Sequence, residues 1–262
     1  MICSNGESEQ CIAANKAQAL ETIFAGPRNA YGWQLYSDWP WDPGIAGFNW
    51  RLWKIQSPIP VWNNLPIISV LGASSLAQIF TTPPTEVAGD PESLNNFLLN
   101  FDIQRDSWKI YLHNHQYRES AMRFMTPPDE TLRRFKRSGG KMIVFHGVAD
   151  PVFSYLDTQH WYQRLQYRYH GHADDFVKLY PVPGMNHCAG GLTTDDFDLF
   201  EQLVSWVEHG DEPAAVSAGI RADNPDIPAF WSRQRTRKLC PYPQVATYIG
   251  GDTESADSFI CR

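Results

Sequence analysis

The sequence predicts an α/β protein, with a parallel sheet in its carboxyl-terminal half and a loop-rich amino-terminal half. Three observations carry this expectation. Between residues 129 and 210, segments with helical and strand character alternate in the order helix, strand, helix, strand, helix. The first strand-like segment, KMIVFHG, is a short continuous apolar run, the pattern of a strand covered on both faces. Residues 1 to 128 hold no sustained strand pattern and are punctuated by glycine, proline and aspartate turn signals.

In the first half, KAQALETIFAG (16–26) sets Ala19, Leu20, Ile23 and Phe24 on one helical face and stops at Gly26-Pro27. The long segment YGWQLYSDWPWDPGIAGFNWRLWKI reads as irregular chain. LAQIF (76–80) is helix-like and runs into Thr81-Thr82-Pro83-Pro84. Across 90–106, Pro91 suits a first helical position, and Leu94, Phe97, Leu98 and Phe101 line one face. In the second half, DETLRRFKRSGG predicts a short amphipathic helix closed by glycine. KMIVFHG then predicts a strand buried on both faces, with Met142 to Phe145 as its apolar run. SYLDTQHWYQRLQYRYHG predicts a helix ending at Gly171, and FVKLYPVPG a second strand. The last helix is expected to be capped by Thr194 or Asp195, to turn Phe197, Phe200, Leu203, Val204 and Val207 inward, and to end before Gly210. No internal repeat is present.

At 262 residues and 43% hydrophobic composition, the chain is long enough to bury a real core in one large domain or two modest ones. A net charge of −7 and the lack of long lysine or arginine runs argue against nucleic acid or an acidic membrane as the main partner. A small-molecule or glycan-linked substrate fits better. No segment approaches the roughly 20 apolar residues of a membrane span. The opening MICSNGESEQ is polar where a signal peptide is apolar, and no Asn-x-Ser/Thr sequon occurs. The ten tryptophans either fill a loop-rich core or face aromatic or carbohydrate-like ligands. Cys3 with Cys11 and Cys240 with Cys261 form two local pairs in loop-like sequence, which reads as disulfides made in an oxidising compartment. Cys188 is left over, so its partner is expected outside this chain.

Ligands of parallel sheets meet the loops at the carboxyl ends of the strands. Asp150, in HGVADP, and His187, in PGMNHC, follow the two predicted strands, 37 residues apart. Aspartate before proline is also a common turn residue. Placed together at successive strand ends, however, these two are the acid and base half of a Ser, Asp, His arrangement. The histidine would take a proton from a serine and return it to the leaving group, and the aspartate would fix its tautomer. His113 and His115, two residues apart, would not share a helical face, so a solvated role is favoured over metal binding.

HGVADPVFS, LYPVPGMNHCAGG, FDLFEQLVSWVEHGDEPAAVSA and LCPYPQVATYIGGDTESADSFIC resemble, in this order, the carboxyl-terminal half of the tannase and feruloyl esterase family. CIAANKAQALETIFAGPR is similar to the stretch that opens that family's lid domain. The resemblance implies a secreted or periplasmic serine esterase that cleaves feruloyl, galloyl or related aromatic esters. It also implies an α/β-hydrolase sheet, of which residues 129–262 are the carboxyl-terminal part, and a loop-rich lid, of which residues 1–128 are a portion. By position it makes Asp150 the triad acid and His187 the base. It matches Cys3, Cys11, Cys240 and Cys261 to local disulfides, and pairs Cys188 with a cysteine directly before the nucleophilic serine. Trp33, Trp39, Trp41, Trp50 and Trp53 fall in the lid, where they could wall an aromatic ester pocket, although packing is the simpler role. The nucleophile elbow and the family's calcium loop belong upstream, so no cofactor or metal ligand is expected here. Ser4, in ICSNGE, has too short a preceding strand to serve as an elbow. The expectation is that this chain alone lacks serine-esterase activity, and that the missing amino-terminal portion could act as a second chain. The alternative is a non-enzymatic remnant or subunit that binds aromatic ligands.

Overall fold

The computed structural model describes residues 2–3 and 11–262. Ser4 lies outside the described residues. The first half is helical, as its three- and four-residue apolar spacing predicts, and it holds no strand among its described residues. Its helices are α1 (Ala14–Phe24), α2 (Phe48–Lys54), α3 (Ala73–Gln78), α4 (Pro91–Leu99), α5 (Ile103–Asp106) and α6 (Ala121–Met125). α4 starts as expected, with Pro91 in the first turn and the Asp90 carboxylate accepting from the Ser93 N–H at 2.9 Å. It ends at Leu99, so Phe101 leaves the helix and packs edgewise on Phe97. α3 starts earlier than LAQIF because a π-helical turn, Ile68–Gly72, runs directly into it. Val70, Ala73 and Leu94 form the core of this region. Of the face predicted for α1, only Phe24 is buried, stacked on Trp41 at 4.1 Å and close to Trp50.

The second half contains α7 (Arg133–Arg137), β1 (Met142–Gly147), α8 (Tyr155–Arg168), β2 (Val177–Val182) and α9 (Phe200–Glu208). β1 and β2 are parallel, with Met142 opposite Val177 and Gly147 opposite Val182. Two antiparallel pairs follow, β3 (Val216–Gly219) with β4 (Thr236–Leu239) and β5 (Ala246–Tyr248) with β6 (Phe259–Cys261). These short strands carry too few alternating residues to be read from sequence. Both expected disulfides are present, Cys3 to Cys11 and Cys240 to Cys261. Cys188 is a free, exposed thiol.

β2 is the best-buried element. Val177 and Leu179 pack on one face against Tyr162 and Leu165 of α8. Tyr180 and Val182 pack on the other with Met185, Leu199, Ala218 and Leu239. Lys178 shares this second face, and its ammonium is held by Glu212. β1 departs from the expected burial on both faces: Phe145 is 50% exposed, because β1 pairs only with β2 among the described residues. α9 departs as well. It begins at Phe200, with Asp198 accepting from the Phe200 and Glu201 N–H groups, so neither Thr194 nor Asp195 caps it. Phe200 and Val207 are 71% and 61% exposed, and Leu199 and Trp206 are the residues buried there. No helix among the described residues is long and apolar enough to cross a membrane.

Candidate active site

The parallel pairing of β1 and β2 brings their carboxyl ends together, and the residues that follow each strand meet there. Gly147 ends β1 against the loop after β2. A Cβ at this position would lie 2.4 Å from the Met185 carbonyl oxygen, so only glycine lets the two backbones approach this closely. Asp150 follows on a turn that its own carboxylate stabilises. Oδ1 accepts from the Val152 N–H at 2.7 Å and the Phe153 N–H at 3.1 Å. Oδ2 faces the loop after β2, where the Nδ1 of His187 donates to it at 3.0 Å. The two residues singled out from sequence are therefore in direct contact.

Asp150 is buried. Burial alone would raise its pKa, but hydrogen bonds from His146, His187 and the two backbone N–H groups outweigh it and hold the carboxyl below its ordinary range. The carboxylate is thus ionised at neutral pH and acts only as an acceptor, which places the proton of a neutral His187 on Nδ1. Nε2 is left with its lone pair, available to accept a proton. Among the described residues, no side chain hydrogen-bonds this nitrogen.

His146, which the sequence reading did not single out, is the second imidazole at the acid. Its Nε2 lies 3.5 Å from Asp150 Oδ2 and 3.1 Å from the Phe153 carbonyl oxygen, and its Nδ1 is 2.8 Å from Thr158 Oγ1 on α8. The only signal available in sequence was its place at the end of an apolar run.

The first half of the chain reaches the site at several points. Trp39 Nε1 donates to the Asp150 carbonyl oxygen at 3.1 Å, and the Lys54 ammonium lies 4.7 Å from the centre of the Trp39 ring. Burial lowers the pKa of Lys54, against the pull of Asp150. Trp53 meets the His187 ring edge to face at 5.4 Å, and Phe153 packs on it at 5.7 Å. Trp39 and Trp53 thus border Asp150 and His187, Trp50 packs with Phe24, and Trp33 and Trp41 are exposed. The loop carrying His187 is braced below by Asn186, fully buried, whose side-chain amide donates to the Gly44 carbonyl at 2.8 Å. Asp195, rather than capping a helix, accepts from the Gly190 N–H at 2.8 Å, and Asp226 accepts from both Gly191 and Phe48. Cys188 sits in the left-handed region, at φ 66°, next to the histidine. His113 and His115 are exposed in irregular chain rather than on a helix, and no metal-holding cluster occurs among the described residues.

The Asp150 carboxylate and the His187 imidazole thus meet on adjacent loops at the carboxyl ends of two parallel strands of an α/β protein. The profile of the tannase and feruloyl esterase family matches residues 1–262, and the chain belongs to that family. It is 38% identical over 279 aligned residues to a mono(2-hydroxyethyl) terephthalate hydrolase of Piscinibacter sakaiensis, covering 98% of this chain and 44% of the relative. It is 34% identical to a probable feruloyl esterase of Arthroderma benhamiae, again covering 98% of this chain and 44% of the relative. The chain thus spans less than half the length of these relatives. Among solved structures, feruloyl esterase B from Aspergillus oryzae superposes over the whole chain with a TM-score of 0.61 at 18% identity, covering 49% of that structure. Tannin acyl hydrolase from Aspergillus niger superposes with a TM-score of 0.58 at 16% identity over 96% of this chain and 43% of that structure. These likenesses agree with the α/β fold expected from sequence.

Proposed function

We propose that this chain supplies the acid and base of a secreted serine carboxylic ester hydrolase that cleaves feruloyl, galloyl or similar aromatic esters. The observation that carries the reading is the 3.0 Å contact between His187 Nδ1 and the buried Asp150 carboxylate. Residues 1–128 are the lid portion and residues 129–262 the carboxyl-terminal part of the hydrolase domain. His187 Nε2 accepts the hydroxyl proton of the nucleophilic serine as the serine oxygen attacks the ester carbonyl. It then gives that proton to the departing alkoxide, leaving an acyl-enzyme, and repeats the exchange with water to release the acid. Asp150 holds the Nδ1 proton and stabilises the imidazolium formed in each half-reaction. Trp53 and Phe153 flank the imidazole and form an apolar wall suited to an aromatic acyl group. The two disulfides favour an oxidising compartment.

The serine is assigned to polypeptide outside these 262 residues. The support is that no Gly-x-Ser-x-Gly elbow occurs in the sequence and no described hydroxyl meets His187 Nε2. The isolated chain is therefore expected to show no turnover of feruloyl or galloyl esters. Co-folding it with the amino-terminal portion of the Piscinibacter relative is expected to produce hydrolysis that a serine-directed phosphonate abolishes. His187→Ala should remove that hydrolysis, and Asp150→Asn should cut it by roughly 10⁴. Phosphonate-sensitive turnover by the chain alone would reject the assignment of the serine. Full activity of the His187→Ala complex would reject the acid and base.

A further inference from the structure

Two imidazoles address the same oxygen of the acid. His187 Nδ1 lies 3.0 Å from Asp150 Oδ2, and His146 Nε2 lies 3.5 Å from it. They differ in what else they meet. His146 Nε2 is also 3.1 Å from the Phe153 carbonyl oxygen, an atom that can only accept, so Nε2 carries the proton of the neutral ring. Nδ1 is then the acceptor for the Thr158 hydroxyl, 2.8 Å away. His146 is thereby fixed in the tautomer opposite to that of His187, and neither of its nitrogens is left over for a substrate.

The strand accounts for this placement. Alternate residues of β1 share a face, and Met142 and Val144 turn theirs to the core cluster that includes α8, with His146 next in the series. Its ring meets Tyr155 of α8 edge to face at 6.0 Å, and Thr158 lies on the same helix. An apolar side chain would continue this face without needing partners, whereas an imidazole here needs both nitrogens satisfied. Those partners form a chain from α8 to the base: Thr158, His146, Asp150, His187. The other carboxylate oxygen, Oδ1, is held by the Val152 and Phe153 N–H groups, so Phe153 grips the acid through its N–H and His146 through its carbonyl. We propose, on the reading of Asp150 and His187 given above, that His146 is a positioning residue: its Nε2–H, tethered to α8 through Thr158, sets the Asp150 carboxylate with Oδ2 toward His187 Nδ1. The same N–H draws on the charge of Oδ2 and keeps the carboxylate a weak base. The Nδ1 proton therefore stays on His187 when its Nε2 takes up a second one. His146 acts through Asp150 and touches no reacting atom.

The test compares the full chain with His146→Leu, which fills the space without an N–H, His146→Gln, whose amide offers an N–H at similar reach, and Thr158→Val. Imidazole nitrogen NMR of the chain in mildly alkaline solution should show His146 protonated on Nε2 and His187 on Nδ1. The His146 N–H favours the ionised carboxylate, so its loss should raise the Asp150 midpoint in a carboxyl carbon NMR titration. A rise of roughly half a pH unit or more is expected in His146→Leu, with His146→Gln returning toward the original. In the complex co-folded with the amino-terminal portion of the Piscinibacter relative, His146→Leu should lower kcat at least about tenfold with KM within about twofold, and His146→Gln should recover most of the loss. Melting curves establish that each variant is folded. Should His146→Leu not fold, Thr158→Val, which keeps the imidazole, carries the same comparison with a smaller shift in the same direction. A complex inactive with every chain would reject the esterase reading and leave the NMR comparison to decide this one. A proton on His146 Nδ1, an unmoved Asp150 midpoint in the folded variants, or a loss of kcat that His146→Gln does not recover would each overturn the proposal.

Discussion

The Asp150 carboxylate accepts from two backbone N–H groups and from His187, with His146 close by, more than an aspartate in a turn requires. Since these bonds depress its pKa when folded, the unfolded chain binds more protons in acid. The stability that Asp150 contributes is complete above about pH 4 and is lost as pH falls through the lower folded-state value. Melting temperatures of the original chain and Asp150→Asn should therefore differ most at neutral pH and converge in acid; a constant difference would contradict this. His146→Ala leaves Thr158 and the Phe153 carbonyl without their imidazole partner, and chemical denaturation should show a loss of about 1–3 kcal/mol. Thiol titration of the oxidised chain should find one reactive group, absent in Cys188→Ala. Asp150 and His187 were legible in sequence because each follows a predicted strand, so the two fall at successive strand ends. His146 and Trp39 were not. The partners of His146 are a main-chain carbonyl and a helical threonine, and Trp39 meets an atom 111 positions away. Neither relation leaves a local pattern.

At the scale of elements, α8 and β2 were read correctly because each buries what its period predicts. Tyr162 and Leu165 fall on one helical face, and Val177 and Leu179 on one strand face. Leu179→Ala should cost about 2–5 kcal/mol by leaving a cavity between them, measurable by denaturant unfolding. Ser154 caps α8 by accepting from the Leu156 N–H at 3.1 Å, while its own hydroxyl donates to the Asp38 carbonyl. Ser154→Ala should cost about 1–2 kcal/mol, and Ser154→Gly less only if the cap alone matters. α9 was misread in direction. Its apolar residues surround enough of the helix that the periodicity shows amphipathic character without showing that Trp206, rather than Phe200 and Val207, is the buried side. The four short strands of the carboxyl-terminal hairpins owe their pairing to tertiary contacts and the Cys240 to Cys261 bond, which spacing alone does not place in a sheet.

Across the whole molecule, the two halves share hydrogen bonds at Asp38 with Ser154, Trp39 with Asp150, Asp42 with Gly184, Gly44 with Asn186, and Phe48 with Asp226. The division at residue 128 marks a change in secondary structure, and the first half nonetheless braces the loops that carry Asp150 and His187. β1 leaves one backbone edge without a partner among the described residues, with Phe145 exposed beside it. Such an edge favours association, so light scattering by the isolated chain should rise with concentration, and Phe145→Lys should reduce it. The backbones of the 43–47 and 183–191 segments meet so closely that a Cβ on Gly44 would lie 2.3 Å from the Gly184 carbonyl oxygen, and one on Gly47 3.1 Å from the Gly191 Cα. For anyone building chimaeras among relatives, these two segments form a single inheritable unit. Exchanged separately, they would bring together main chains shaped for different neighbours, and the His187 imidazole would lose its orientation even though Asp150 and His187 had both been transferred.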